Sequence, residues 1–418
     1  MLKKIMFLSL LFLFGVNSTS IIVFGLRLPI FVTLSAVLGI AVGVIGILDV
    51  KNKNWHNLKE NYLPSGNRFF ILFMILWLGY AILSILWQRD YASWRIAVNF
   101  LIIGNFCAFT FSYLTKNVKD MFQMYFIMGV IIIAHNLIGW FEVITQIYLF
   151  PSSADAIGWM RRPVSLFYNT NNFAIFLVLG VFILYVNYKV QEKIIIKRIC
   201  VIGILSSVSL ILLSRSRGAL VAFALGICIF MIIARLDKVK KLVHNLREKR
   251  SRFIGSIVLI VFSSSLSFFV VHQVFLTGER AASGIARTNL IRNGFLFLGI
   301  TNGLGVGAGN VEHWMGNYWG YGTLGMINMH NWWMEILTAY GIPILVLYLV
   351  FYVMLAKSTF VKYVKTNDPK EKIVHRVNFS ILGAFVVAST IPSSMMPAIW
   401  FWAFMGVLIA TQKESIYE

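Results

Sequence analysis

Three short segments of this chain combine side chains able to grip an anion and take a proton. Ser214-Arg215-Ser216-Arg217-Gly218 sets two guanidinium groups two residues apart beside hydroxyls and a glycine. Arg287 begins a second segment that also carries Arg292. The third, His330-Asn331-Trp332-Trp333-Met334-Glu335, puts an imidazole five residues before a carboxylate. Guanidinium is planar, weakly hydrated and permanently charged, and its fork of donors matches phosphate or carboxylate oxygens. Histidine is the usual group for taking a proton in a transition state near neutral pH. A spacing of five lies slightly off one helix face, so it permits a His330 to Glu335 pairing without requiring one. The plainer alternatives are a structural hydrogen bond for His330, and headgroup anchoring or pairing with Asp90, Asp155, Glu279 and Glu312 for arginines such as Arg27, Arg89, Arg161 and Arg162.

Elements that position these groups must lie in a membrane. Hydrophobic residues make up 59% of the 418 residues, charged residues 13%, and mean hydropathy is +0.78, outside the range of a soluble chain of this length. Twelve apolar runs are each long enough to cross roughly 30 Å of hydrocarbon as a helix. They lie near 6–26, 28–49, 69–88, 96–114, 121–149, 171–188, 199–214, 217–234, 253–276, 338–356, 377–391 and 397–411. Lysine and arginine beside spans are retained in the cytoplasm, and the alternate connections that hold every lysine hold most of the 37 basic residues. The expected fold class is therefore all-α and polytopic, one membrane domain over 1–418 with both termini cytoplasmic. The opposite side keeps ten basic residues, all arginine: Arg27, Arg89, Arg95, Arg161, Arg162, Arg215, Arg217, Arg280, Arg287 and Arg292. Topology alone would thin arginine as readily as lysine, so an external anion is the implied ligand.

One external connection, 277–337, is far longer than the rest, and long loops in compact proteins tend to be functional or disordered. Ile285, Leu290, Ile291 and Phe295–Leu298 predict an amphipathic helix on the outer surface. Gly303, Gly305, Gly307 and Gly309 then alternate, allowing tight turns and a backbone whose NH groups could meet an anion or a sugar. Trp314, Trp319, Trp332 and Trp333 follow, rings that can stack on sugar faces or form an interfacial belt.

The formal charge of +21 is mostly the cytoplasmic excess of a polytopic protein, not a nucleic-acid footprint. The run at 235–252 reads as an orientation signal touching anionic lipid. Cys107, Cys200 and Cys228 fall inside spans and offer no external disulfide. The basic start and the first apolar run read as an uncleaved anchor. His135, Asn136 and Glu142 lie within the fifth run, where ionisable groups are functional candidates by default. His135 also fits a hydrogen bond across the bundle, and Glu142 sits where it could neutralise Arg95 or orient an arginine of the site.

The segments SRSRGAL, RTNLIRN before GVGAGN, and HNWWMEILTAYGIP resemble the signature of the O-antigen ligase and Wzy polymerase superfamily, over roughly 160–411. That resemblance implies the C-type glycosyltransferase membrane fold, a lipid-linked oligosaccharide donor, and neither a nucleotide sugar nor a required metal. It implies that Arg215 or Arg217 and Arg287 hold the donor pyrophosphate and that His330 activates the acceptor, with Arg292, Glu142, Asn331 and Glu335 as possible support. Trp332 and Trp333 replace the smaller residues often found after the His-Asn pair. Undecaprenyl pyrophosphate would present its diphosphate at the outer headgroups of the bacterial cytoplasmic membrane, within reach of arginines at span ends. The expected function is a polymerase that joins lipid-linked repeat units into capsule, exopolysaccharide or O-antigen glycan, with inversion at the anomeric carbon. A repeat-unit flippase and a chain-length regulator would be its expected partners, with membrane lipid around it. The alternatives are a ligase that transfers glycan to a lipid or cell-wall acceptor, and, from another class, a transporter or lipid flippase. A shape-and-division glycan polymerase would call for an external acid; Asp155 is present without a supporting pattern.

Overall fold

The computed structural model describes residues 14–15, 21–23, 26–28, 66–149, 162–167, 169–242, 279–318 and 320–414 of the chain. Long apolar runs close their backbone hydrogen bonds internally, and these residues are accordingly almost all helical. The helices are α1 (Arg68–Leu83), α2 (Tyr91–Leu114), α3 (Val118–Thr145), α4 (Thr170–Val190), α5 (Ile194–Leu213), α6 (Arg217–Leu242), α7 (Glu279–Ile300), α8 (Val311–Asn317), α9 (Trp332–Lys365), α10 (Pro369–Ala388) and α11 (Ile399–Ala410). Polar side chains mark where several begin. Asp90 accepts from the backbone NH groups of Ala92 and Ser93, Asn117 from Asp120, Asn169 from Asn171, and Asp368 from Lys370 and Glu371. Each supplies an acceptor to donors that lack one in the first turn.

Seven of these helices are long and apolar enough to cross a membrane: α1 with its 3-10 extension to Leu86, α2, α3, α4, α5, α6 to Arg235, and α9. Their bounds agree with seven of the expected runs to within a few residues at most ends. The 28 residues of α3 reach about 42 Å, more than a perpendicular crossing needs. The expected run at 253–276, all of 28–49 but its first residue, and most of 6–26 lie outside the described residues. Where 6–26 ends, the chain forms a two-stranded antiparallel hairpin instead, β1 (Ile21–Val23) against β2 (Leu26–Leu28), with Arg27 opposite Ile22.

Two expected runs need physical correction. The 397–411 run is α11, twelve residues or about 18 Å, too short to cross the hydrocarbon and buried at every position. It is a core helix packed on α2. A Cβ on Gly104 of α2 would stand 2.5 Å from the Trp402 ring, and one on Gly406 2.7 Å from the Cys107 backbone, so the two helices meet at backbone distance. The 338–356 run is part of the longer α9, which starts at Trp332 and breaks at Gly341 (φ 74°, ψ −174°), two residues before Pro343. By contrast α1, α5 and α9 expose rows of Leu, Ile and Val, such as Leu72, Ile202 and Val346, as helices facing lipid do.

The break in α9 organises the segment after α7. Proline has no NH to give Ala339, and Ile342 turns its NH to the Gly303 carbonyl (2.9 Å). The carbonyls so released accept from the strap that follows α7: Val306 NH to Thr338 at 2.8 Å and Gly307 NH to Ala339 at 2.9 Å. Trp87 Nε1 donates to the Gly305 carbonyl, Tyr80 to that of Leu304, and Ser84 Oγ accepts from Ala308 NH. The four alternating glycines take φ of 81°, 82°, 99° and 68°, and a Cβ at Gly305 would meet the Gly341 nitrogen at 2.5 Å. Their spacing therefore serves a left-handed backbone that docks on a broken helix. NH groups along 303–308 are already bonded within the protein, which corrects the expectation that this loop meets an anion.

Candidate functional site at one end of the bundle

Short connections between antiparallel helices bring the α1–α2 loop, the α5–α6 turn, the start of α9 and the α10–α11 connection to one end of the bundle. Lysines of the described residues, including Lys116, Lys189, Lys365 and Lys370, gather toward the other.

The α5–α6 turn is built by its serines. Ser214 donates to the Ile211 carbonyl at 2.6 Å and accepts from Ser216 NH at 3.2 Å, so the hydroxyls are buried while Arg215 and Arg217 are exposed. Arg215 takes φ of 54°. Gly218 then lies against the α10–α11 connection, where a Cβ would come 2.6 Å from Ile391 Cγ1. A side chain at 218 would push the arginine turn away from that connection.

The same connection holds the histidine. His330 NH donates to the Ser393 carbonyl at 3.1 Å, and Trp332 NH to the Ser389 carbonyl at 3.0 Å. Asn331 caps α9, its Oδ1 accepting from Met334 NH at 3.2 Å, so its role is to start the helix and fix the histidine at its mouth. His330 has φ of 51°, which leaves it, with Arg215, among the few non-glycine residues in the left-handed region. Such backbone costs of order 1–3 kcal/mol and persists where surrounding structure dictates it, commonly at functional sites.

Burial lowers the His330 pKa below the usual histidine value, the Arg287 charge lowers it further, and a hydrogen bond with the Ile391 backbone opposes both. Arg287, on α7, is itself lowered by burial. Arg287 is thus close enough to His330 to act on its charge, and Ile391, whose backbone bonds His330, also packs against Gly218 at the end of the arginine turn. Arg292 points elsewhere: it covers the Tyr321 ring at 5.6 Å and donates to Asn289 at 3.5 Å, on the face of α7 that clamps 320–322 through Asn289 and Asn293. Five residues along a helix separate two side chains by about 140°, which is why Arg287 and Arg292 diverge.

Glu335 lies one turn into α9. Its Oε1 accepts from Ser394 at 2.5 Å, while its Oε2 is buried without a hydrogen-bond partner among the described residues. It reaches the α10–α11 connection rather than His330. Glu142 does not neutralise Arg95 through Oε2, which accepts from Val164 and Ser165 NH groups at 2.8 Å each. His135 holds the same segment, with Nδ1 2.9 Å from Ser165 Oγ and Nε2 2.7 Å from the Gly15 carbonyl. Both are brackets for residues 164–165, and Asn136 likewise bonds across to Gly203 and Ser207.

Of the tryptophans expected as sugar platforms or as an interfacial belt, two are buried in the protein and present no open face to a glycan. Trp332 is 1% exposed, surrounded by Trp77, Tyr348, Phe401 and Trp402, and donates to Tyr348 at 2.9 Å. Trp314 is 4% exposed and packs between Phe297, Tyr318 and the Arg89 guanidinium. Trp333 is half-buried against Tyr348 and Tyr352, and Trp319 lies outside the described residues. Arg89 donates to the Tyr318 hydroxyl at 2.7 Å and faces both rings, an anchor made of aromatics. Asp90 is committed to Ser93 and Glu312 to Asn328. Trp332→Ala is expected to cost about 3–5 kcal/mol of stability, read as a lower melting temperature and membrane level; unchanged values with weaker glycan binding would restore the platform role.

Sequence reasoning passed over Ser389, Ser393 and Ser394, which hold the start of α9, because no spacing rule connects residues 59 apart.

The bundle is that of a polytopic membrane protein, and residues 201–349, from α5 into α9, match the family described as O-antigen ligase. Over a longer stretch the chain is similar to the teichuronic acid biosynthesis protein TuaE of Bacillus subtilis (strain 168), 26% identical over 385 residues, or 89% of this chain and 76% of that protein. The resemblance carried by SRSRGAL, RTNLIRN and HNWWMEILTAYGIP is borne out.

Proposed function

We propose that this protein is a membrane glycosyltransferase that polymerises lipid-diphosphate-linked repeat units into a cell-surface polysaccharide, with the His330 end of the bundle facing outward. The observation that carries this reading is the closeness of Arg287 to His330, on a connection whose Ile391 also packs on the end of the Arg215–Arg217 turn. A diphosphate is a double anion, and the guanidinium groups of Arg215, Arg217 and Arg287 would supply forks of donors that match its oxygens. The name of the similar protein from B. subtilis, teichuronic acid biosynthesis, supports a wall or capsule glycan as the product class.

In the proposed reaction an acceptor sugar hydroxyl attacks the anomeric carbon of the donor glycan. The new carbon–oxygen bond forms as the anomeric carbon–phosphate oxygen bond breaks, and the lipid diphosphate leaves with that bond's electron pair. His330 takes the hydroxyl proton; the arginines meet charge growing on the diphosphate. They raise the rate only as far as they hold the leaving group more tightly in the transition state than in the ground state. Attack from the face opposite the diphosphate inverts the anomeric centre. A ligase would share this chemistry and differ in acceptor, and the family's description keeps it as the second reading.

The test is the glycan on lipid carriers in cells that depend on this chain. Arg217→Lys keeps the charge and loses the fork, so single repeat units are expected to accumulate at normal membrane levels of the protein. A wild-type ladder in that variant would contradict bidentate diphosphate recognition. Long polymer stranded on its carrier would favour the ligase.

A further inference from the structure

The α10–α11 connection carries Pro392 and Pro397, which have no NH to give, so its shape depends on what its neighbours bond. Its bonds with α9 and the residues just before it form a row. Trp332 NH donates to the Ser389 carbonyl, His330 NH donates to that of Ser393, and the Glu335 carboxyl accepts from the Ser394 hydroxyl at 2.5 Å. The first two use only backbone. The third needs a carboxyl one turn into α9 and a hydroxyl at 394. Ser394 is also held from its other side: its oxygen accepts from Met396 NH at 3.1 Å, and the Met396 carbonyl accepts from Trp402 Nε1 of α11 at 2.9 Å. Glu335 therefore ties the first turn of α9 to a connection anchored on α11.

The tie reaches His330 by a short covalent route. The Ser393 carbonyl that takes His330 NH lies in the planar peptide unit between the Cα atoms of residues 393 and 394, so holding Ser394 holds that plane. Two residues before Ser393, the Ile391 backbone bonds His330, and its side chain packs on Gly218. His330 itself sits at φ 51°, a conformation that persists only while its surroundings dictate it. Without the tie the 393–394 plane is free to turn, and the histidine turns with it. We propose that Glu335 is a positioning residue for glycan transfer: its bond to Ser394 sets the Ser393 carbonyl and, through it, the place of His330 beside the donor. This assignment rests on the glycosyltransferase reading above, with His330 as the base.

The test uses the full-length protein in lipid nanodiscs, with lipid-linked repeat units extracted from cells titrated as substrate. Glu335→Leu is expected to lower kcat about 10- to 100-fold, what a shift of about 1 Å in a reacting group costs, while KM for the repeat unit stays within about twofold of wild type. Glu335→Gln keeps an oxygen that accepts from Ser394 and is expected to restore most of the lost rate. Ser394→Ala removes the same bond from the other side, so it should match Glu335→Leu, and it carries the comparison if that variant does not accumulate in membranes. The double variant should be no slower than either single one, because the two changes delete one interaction. A Glu335→Gln protein as slow as Glu335→Leu would put the carboxylate itself into the chemistry and overturn the positioning role. Losses that multiply in the double variant, or a wild-type kcat in Ser394→Ala, would overturn it too. Each of these results leaves the glycosyltransferase reading standing, whereas failure of the wild-type protein to transfer glycan overturns both.

Discussion

His330→Asn is expected to lower glycan transfer by about 10²–10⁴-fold, the contribution of a well-placed general base, with normal amounts of protein in the membrane. Asparagine is the informative replacement. His330 sits at φ 51°, a conformation that asparagine tolerates better than alanine, and it heads a helix capped by Asn331. The backbone bond to Ser393 uses the NH, which every replacement but proline retains. The loss should therefore fall on the maximal rate while donor binding, which the arginines govern, is kept. Melting temperature in detergent and titration of donor separate these effects. Retention of more than a tenth of wild-type activity would remove His330 from proton transfer.

Replacing Arg287 should reveal its two effects separately. As a fork for the diphosphate it is expected to contribute about 10²–10³-fold to the rate, comparable with loss of one donor from a preorganised anion site. As a buried cation it also holds His330 below the usual histidine pKa. Arg287→Lys keeps the charge and loses the fork: the rate should fall while the acid limb of the pH profile stays in place. Arg287→Gln loses both, so the rate falls and the acid limb moves to higher pH, because an uncharged neighbour lets the imidazole hold its proton more readily. In the wild-type protein the neutral, reactive imidazole is lost as pH falls through a pKa below 6.5. Donor diphosphate offsets the arginine charge, so the limb in kcat should lie at higher pH than the limb in kcat/KM. Rate profiles for the three proteins decide this; a limb that stays fixed in Arg287→Gln would separate Arg287 from His330.

Most of the fold was legible from apolar run length alone, since a run of twenty hydrophobic residues in lipid has few options besides a helix. The seven long helices lie where hydropathy places them. Hydropathy does not separate a lipid-facing helix from one buried by its neighbours, so α11 passed for a span. What it lacked were the contacts of Gly104 with Trp402 and of Gly406 with Cys107, which bring α11 to backbone distance of α2. The pair Gly341 and Pro343 is visible in the sequence, yet its meaning lies in the glycine-rich strap upstream, where the NH groups of Val306 and Gly307 reach the carbonyls the break releases.

Site residues were legible by type and order. Arg287, His330 and the arginine turn follow from guanidinium chemistry and from a resemblance that the family comparison bears out; the structure sets Arg287 near His330 and Gly218 of the turn on Ile391, whose backbone bonds His330. Side-chain direction was not legible. Trp332 and Trp333 are adjacent and equally aromatic, yet one turns into a cluster with Trp77 and Trp402 while the other stays half-buried. Arg292 parts from Arg287 because of its helical phase, and Glu142 turns to backbone NH groups that no pattern announces.

The central claim is that this end of the bundle makes a glycosidic bond at the expense of a lipid diphosphate. The direct measurement is purified full-length protein in nanodiscs with lipid-linked repeat units as sole substrate, following glycan length by gel and released polyprenyl diphosphate by mass spectrometry. The account predicts longer lipid-linked glycans, with one polyprenyl diphosphate freed for each bond formed, and neither product in His330→Asn. Repeat units that stay single with their diphosphate intact, while the same protein in sealed vesicles moves them across the bilayer, would contradict it and identify a transporter.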